Sequence, residues 1–161
     1  MAKVLVIDDE PSIATLVAEV IEGYGHEVTI AYNGKQGLEL ARYGIFELII
    51  SDVMMPYLNG RDLLKIVRSD PKLSETKFVL MSAVSHLTGP DHETAPDAFI
   101  VKPFDITTVD KVVNNFLADG ELQAPDGEVQ MDGDYGINYQ ISAPSPFSRS
   151  KREYLSYGEQ Q

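Results

Sequence analysis

The sequence contains no cysteine, which excludes disulfide bonds and thiolate metal sites. It also lacks any apolar run approaching the roughly eighteen residues that a membrane-spanning helix needs. The longest apolar stretches, such as 3–7 and 46–50, have the length of a strand. Met1-Ala2-Lys3 leads directly into the first of them, without the charged and then apolar layout of a signal peptide. We therefore expect a cytoplasmic protein that does not enter a membrane.

Positive charge is also scarce. The chain has 13 lysines and arginines against 25 aspartates and glutamates, and its formal net charge is −12. Because nucleic-acid backbones attract basic surfaces, this balance argues against direct nucleic-acid binding. The 161 residues, 43% of them hydrophobic, are enough for one domain with a sizeable core.

The composition changes near residue 120. Apolar periodicity is clear before this point, and Gly, Pro, Ser, Asp and Tyr predominate after it. A polar segment of this kind cannot bury enough surface to form a core of its own. We predict a folded domain over 1–119 and a polar C-terminal extension over 120–161, which is either disordered or docked as an extended arm.

Short apolar runs alternate with amphipathic segments through the predicted domain. Strands are predicted over 3–7, 27–31, 46–51, 77–82 and 97–101. Apolar residues at helical spacing predict intervening helices that begin near Pro11, Asn33, Gly60 and Asp105. The alternation predicts an α/β fold, a doubly wound five-stranded parallel sheet with helices on both faces.

One helix of this pattern is poorly supported. The segment 85–96 occupies the place of the fourth helix, yet it contains Gly89-Pro90 and Ala95-Pro96. A proline inside a helix costs roughly 3 kcal/mol. We expect this helix to be short, broken or late in starting.

Polar side chains follow the predicted strands at their carboxyl ends. Asp8 and Asp9 follow the first strand, Asp52 the third and Lys102 the fifth, while Ser82 closes the fourth. The carboxyl ends of central parallel strands meet at one edge of the sheet, so we expect these groups to share a pocket. Two carboxylates 4 Å apart repel by about 4 kcal/mol at an effective dielectric constant of 20. A divalent cation relieves this repulsion, and Mg²⁺ prefers such oxygen ligands.

Each of these residues also has a simpler explanation when it is taken alone. An Asp-Asp pair after a strand can cap the following helix, and Asp52 can be a turn residue before Pro56. Lys102 alone would be a solvated surface lysine. The joint occurrence of these residues at strand ends favours the metal site.

The same residues lie in motifs that resemble those of response-regulator receiver domains. The resemblance covers residues 3 to about 118 and includes Val4-Leu-Val-Ile-Asp-Asp-Glu10, Ser51-Asp-Val-Met-Met-Pro56, Asn59-Gly60, Met81-Ser-Ala83 and Ile100-Val-Lys-Pro-Phe104. It implies a flavodoxin-like sheet with strand order 2-1-3-4-5 and two-component phosphorelay signalling.

The resemblance also implies roles for individual residues. Asp52 is the expected phosphoacceptor that becomes an aspartyl phosphate. Asp9 and Asp52 are the expected direct ligands of a Mg²⁺ cofactor, with Asp8 acting mainly through a water and Met54 through its backbone carbonyl. Lys102 is expected to neutralise charge on the phosphoryl group.

A switch is implied as well. Ser82 is expected to bind the phosphoryl group and report its presence, while the ring of Phe99 turns into the space that Ser82 leaves. Phe99 can equally be an ordinary core residue. Pro103 is expected to follow a cis peptide bond that directs Lys102 into the pocket.

Three functions remain to be distinguished. The favoured one is a single-domain response regulator, not an enzyme in its own right, that receives its phosphoryl group from a sensor histidine kinase or a histidine phosphotransfer protein. It would then bind an unknown downstream protein. An enzyme on the same fold is disfavoured because Met54 stands where an aspartyl phosphatase carries a second Asp, and because no Walker or dinucleotide motif is present. The third is a receiver-like adaptor that works without phosphorylation. Met54 and Val84 are unsuited to activating water, which predicts slow self-dephosphorylation.

Overall fold

The computed structural model describes residues 1–83, 94–117 and 139–141. In these residues the elements are, in chain order, β1 (Lys3–Ile7), α1 (Pro11–Gly23), β2 (Glu27–Ala31), α2 (Gly34–Tyr43), β3 (Leu48–Asp52), α3 (Gly60–Ser69), β4 (Lys77–Ser82), β5 (Ala98–Val101), α4 (Ile106–Leu117) and β6 (Tyr139–Ile141).

All six strands belong to one sheet, in the order β2-β1-β3-β4-β5-β6. The strands β1 to β5 pair in parallel. The predicted five-stranded parallel sheet with strand order 2-1-3-4-5 is therefore confirmed. The sixth strand was not predicted; it extends the sheet by antiparallel pairing with β5.

The core lies in two layers, one on each face of the sheet. Alternate residues of every central strand point to opposite faces, so Val4 and Val6 enter one layer while Leu5 and Ile7 enter the other. The first layer is closed by α1 and α4, and the second by α2 and α3. The strands β1 and β3 are almost fully buried because helices cover both of their faces.

Local signals set several helix boundaries. Pro11 opens α1, where the absence of its N–H costs no hydrogen bond. The Asn33 side chain accepts the N–H of Gln36 at 2.8 Å, and the Gln36 side chain accepts the N–H of Tyr32 at 2.9 Å. These two bonds form a capping arrangement at the start of α2, with the return bond reaching one residue beyond the cap. At α4, the Asp105 carboxylate accepts the N–H of Thr108 at 3.1 Å.

Three predictions need comment. The third strand begins at Leu48, two residues later than predicted. The doubtful helix over 85–96 falls mainly on 84–93, outside the described residues. Of the predicted extension 120–161, the described residues are 139–141 alone, and they form β6.

An ion-pair network joins α3 to the start of β5. The Arg68 guanidinium donates to Asp97 Oδ2 at 2.8 Å and to the carbonyl of Thr76 at 2.8 Å. The same Asp97 oxygen accepts the N–H of Phe78 at 2.8 Å. These bonds lie at the end of the sheet opposite the strand carboxyl ends.

None of the helices in the described ranges has the length and apolar character needed to cross a membrane.

Candidate functional site

The predicted site residues converge at the carboxyl edge of the sheet. Asp8 directly follows β1, Asp52 is the last residue of β3, and Lys102 directly follows β5. The strand order reverses between β1 and β3. Doubly wound sheets bind ligands at the carboxyl ends of the strands next to such a reversal. The positions of these residues thus follow from the topology.

Asp8 is held by the backbone around it. Its N–H donates to the carbonyl of Ala31 at 3.1 Å, and its Oδ1 accepts the N–H of Glu10 at 2.9 Å. The Asp8 side chain is fully buried, whereas Asp9 beside it is exposed. The Asp8 carboxylate is therefore buried in the site, whereas the Asp9 carboxylate faces solvent.

Lys102 bridges two of the carboxylates. Its Nζ lies 2.9 Å from Asp8 Oδ2 and 3.5 Å from Asp52 Oδ1. Burial lowers the pKa of Lys102, but the hydrogen bond to Asp8 and the charge of Asp52 outweigh it, so the pKa is raised overall. The ammonium is therefore charged at neutral pH. The peptide bond between Lys102 and Pro103 is cis, as the resemblance implied.

Asp52 has the most perturbed carboxyl group of the site. Burial raises its pKa from 3.8 to about 6; the Lys102 charge opposes this rise, and the charges of Asp8 and Asp9 add to it. Its side chain is only 7% exposed. Asp52 is therefore a carboxylate that is ionised at neutral pH yet more basic than an ordinary aspartate.

The three carboxylates form a potential metal site. Asp8, Asp9 and Asp52 each offer an oxygen, and these oxygens lie within 4.8 Å of one another. One lysine offsets only part of their negative charge. An oxygen-only donor set with excess negative charge and one solvent-facing member suits Mg²⁺, which binds few carboxylates and keeps several waters. The acidic pocket thus fits both Mg²⁺ binding and phosphorylation.

The remaining predicted residues lie on or after the strands that carry the cluster. Ser82 ends β4 and is buried, and its carbonyl accepts the N–H of Lys102 at 2.8 Å. Met54 lies two residues after Asp52 and has an exposed side chain. Phe99 lies within β5, partly buried against the core layer that α2 and α3 close. The structure thus brings Asp8, Asp9, Asp52 and Lys102 together, and the functional roles of all the predicted site residues stay predictions.

Gly60 shapes the backbone of the site, a role that the sequence analysis did not assign to it. A Cβ built at Gly60, the first residue of α3, would lie 2.2 Å from the Asp52 carbonyl oxygen. The Gly60 N–H donates a hydrogen bond to the Val53 carbonyl oxygen at 2.9 Å. Only glycine lets α3 start this close to the backbone of Asp52. The motif Asn59-Gly60 was visible in the sequence, but the backbone that Gly60 approaches was not.

Sequence comparisons relate the chain to response regulators. A family model described as response regulator receiver domain matches residues 4–114. PilH of Pseudomonas aeruginosa is 30% identical over 121 residues, which are 73% of this chain and 99% of PilH. Response regulator ArlR of Staphylococcus saprophyticus is 34% identical over 110 residues, which are 66% of this chain and 48% of ArlR. The chain spans about half the length of ArlR and several other curated relatives that it matches.

Structural comparisons point the same way. The chemotaxis response regulator CheY4 of Vibrio cholerae superposes with a TM-score of 0.65 at 32% identity, over 73% of this chain and 99% of CheY4. Response regulator TrrA of Thermotoga maritima, solved in complex with Mg(2+)-BeF, superposes with a TM-score of 0.66 at 32% identity. That match covers 73% of this chain and all of TrrA. The fold therefore agrees with two independently solved structures.

Proposed function

Because the chain belongs to the response regulator receiver domain family, we propose that it accepts a phosphoryl group on Asp52 from a phosphohistidine donor. The observation that carries the proposal is the meeting of Asp52, Lys102 and the two further carboxylates in one pocket. This arrangement supplies a nucleophile, a cation for the incoming phosphoryl oxygens and a set of oxygen ligands for Mg²⁺.

The chemistry requires little covalent work from the protein. A carboxylate oxygen of Asp52 attacks phosphorus, a P–O bond forms, and the P–N bond to the donor histidine breaks with its electron pair remaining on the imidazole nitrogen. A pKa of about 6 leaves most of Asp52 ionised at neutral pH, and the ionised carboxylate is the nucleophile. When bound, Mg²⁺ would neutralise charge on the phosphoryl oxygens.

The other residues position and detect the group in this proposal. Lys102 already spans Asp8 and Asp52, so its Nζ can pair with a phosphoryl oxygen after a short movement. Asp9, Asp52 and the carbonyl of Met54 would hold Mg²⁺ directly, and Asp8 would act mainly through a water. The acidic cluster and the solved TrrA complex with Mg(2+)-BeF support Mg²⁺ binding at this site.

The output in this proposal is a binding event. Ser82 donates to the phosphoryl group, and the ring of Phe99 responds by changing its packing, which alters the surface for a downstream protein. The phosphoryl donor is a sensor histidine kinase or a histidine phosphotransfer protein. The proposed location of the protein is the cytoplasm, where such donors transfer their phosphoryl groups. The meeting of three carboxylates and Lys102 in one pocket is the reason to favour phosphorylation over the adaptor alternative.

The test is a mass measurement on the intact protein. Incubation with Mg²⁺ and acetyl phosphate should add the mass of one phosphoryl group to the native chain and none to an Asp52→Asn variant. Asp62→Asn, which changes an exposed carboxylate on α3, is the matched control and should behave like the native chain. Chelation of Mg²⁺ should suppress the gain. An equal gain in the native and Asp52→Asn proteins would remove Asp52 as the acceptor.

A further inference from the structure

The outer edge of β5 is closed by a segment from the far end of the same chain. In the parallel sheet of β1 to β5, β5 is an edge strand, and an edge strand presents unpaired backbone groups that invite another strand. Here β6 occupies that edge in three antiparallel pairs: Ala98 with Ile141, Phe99 with Gln140, and Ile100 with Tyr139. The edge can therefore accept an extended segment, and β6 defines the geometry in which it does so.

The closing segment is poorly suited to hold its place permanently. It is three residues long, shorter than most strands, and can form only a few hydrogen bonds. It is separated from β5 in the sequence by α4 and the stretch 118–138, so pairing also costs the entropy of closing a long loop. A contact of this kind opens by local unfolding far more readily than the central strands do.

The sequence around β6 has the pattern of a strand. Apolar Ile137, Tyr139 and Ile141 alternate with polar Asn138 and Gln140, which is the period of two typical of extended chains. The same alternation is what an extended peptide ligand offers when it adds to a sheet edge, where main-chain hydrogen bonds supply the affinity.

We propose that Tyr139–Ile141 is a displaceable intramolecular strand, and that the β5 edge beneath it is a binding surface for an extended peptide segment. The occupant on this surface is the chain's own segment, and a partner would compete with it through the same antiparallel backbone pairing. This inference depends on the sheet topology and not on phosphorylation of Asp52, so either can fail without the other.

The first test removes the pairing capacity of β6 in the full chain. Successive residues of a strand direct their N–H groups to opposite edges, so prolines at two adjacent positions disrupt either possible ladder. The variant Tyr139→Pro/Gln140→Pro should therefore release β6. The matched control Gln130→Pro/Met131→Pro places the same two changes in the sequence before the strand.

Hydrogen exchange at β5 reports the result. Of the adjacent amides of Phe99 and Ile100, one faces β4 and the other faces β6. The amide facing β6 should exchange about tenfold faster or more in the Tyr139→Pro/Gln140→Pro variant, with no change in the control or in β1 and β3. Equal exchange in all three proteins would show that β6 does not close the edge. Should the proline variant not fold, replacing 139–141 by three glycines weakens the strand while keeping its amides.

The second test measures the surface itself. A synthetic peptide with the sequence of residues 137–143 should bind the full-length proline variant and bind the native chain much more weakly, because β6 competes in the native chain. A scrambled peptide is the control. Binding to neither protein, or equal binding to both, would overturn the proposal. A concentration-dependent dimer of the native chain that the proline variant lacks would support the same edge, occupied by the strand of a second copy.

Discussion

Replacing Asp52 by asparagine is expected to stabilise the metal-free protein at neutral pH. The carboxylate is buried beside Asp8 and Asp9, and its pKa of about 6 means that folding makes ionisation of Asp52 less favourable than in the unfolded chain, in spite of Lys102. Asparagine has almost the same shape and carries no charge. The variant therefore removes the electrostatic cost of the site and leaves the packing nearly unchanged.

The size of the effect follows from the pKa. The rise from 3.8 to about 6 is roughly two units, and each unit corresponds to about 1.4 kcal/mol between the two protonation states. The ionised Asp52 thus costs up to about 3 kcal/mol at neutral pH. The new amide does not reproduce every contact of the carboxyl group, so we expect a gain of about 1–3 kcal/mol in the free energy of unfolding.

The pH dependence has a definite sign. A carboxyl group whose pKa is raised on folding binds its proton more tightly in the folded state than in the unfolded state. Its favourable contribution is present below the unfolded value of 3.8 and is lost as the pH rises through about 6. The advantage of Asp52→Asn over the native chain should therefore be near zero at about pH 3 and almost fully developed at about pH 7.

Urea unfolding of both proteins in a chelating buffer, at acidic and at neutral pH, measures this difference. Asp105→Asn is the control, because hydrogen bonds from Thr107 and Thr108 lower the pKa of Asp105 and its charge should not be destabilising. Added Mg²⁺ should raise the stability of the native chain by mass action and that of Asp52→Asn much less. A variant that is no more stable than the native chain at neutral pH without metal would refute the electrostatic argument.

Three further outcomes are expected. Lys102→Met should slow phosphorylation of Asp52 about 100-fold, measured with acetyl phosphate, because the transferred group loses a buried counter-charge. Gly60→Ala should lower both the stability and the rate of phosphorylation, since its Cβ would lie 2.2 Å from the Asp52 carbonyl oxygen and must push the loop aside. Arg68→Met should lower the free energy of unfolding by about 1–3 kcal/mol by leaving Asp97 and its neighbouring carbonyls less well paired, with no direct effect on phosphorylation.

Much of the fold could be predicted because burial on both faces leaves a strong sequence pattern. The strands β1 and β4 are almost continuous apolar runs, and both were predicted with the observed boundaries. The start of β3 was predicted two residues too early, since Phe46 is apolar but lies before the strand and packs against the core from outside the sheet. Apolar character alone does not distinguish these two situations.

The site could be predicted for a topological reason. Once parallel strands are assigned, residues at their carboxyl ends must be neighbours, whatever their separation in sequence. The contact between Lys102 and Asp8 could not be predicted in the same way, because it depends on which of several nearby carboxylates the ammonium reaches. That choice is made at the scale of a single ångström, by side-chain directions that a strand pattern does not specify.

The sixth strand escaped prediction for a different reason. Tyr139–Ile141 is short and lies among polar residues, so the average composition of 120–161 concealed a local alternation of apolar and polar side chains. A segment of three residues is too short to be stable as a strand by itself and becomes one because β5 offers it an edge. If the edge confers the structure, a longer strand offered to the same edge should replace it. The shortness that made β6 hard to predict is therefore also the physical reason to expect that it can be displaced.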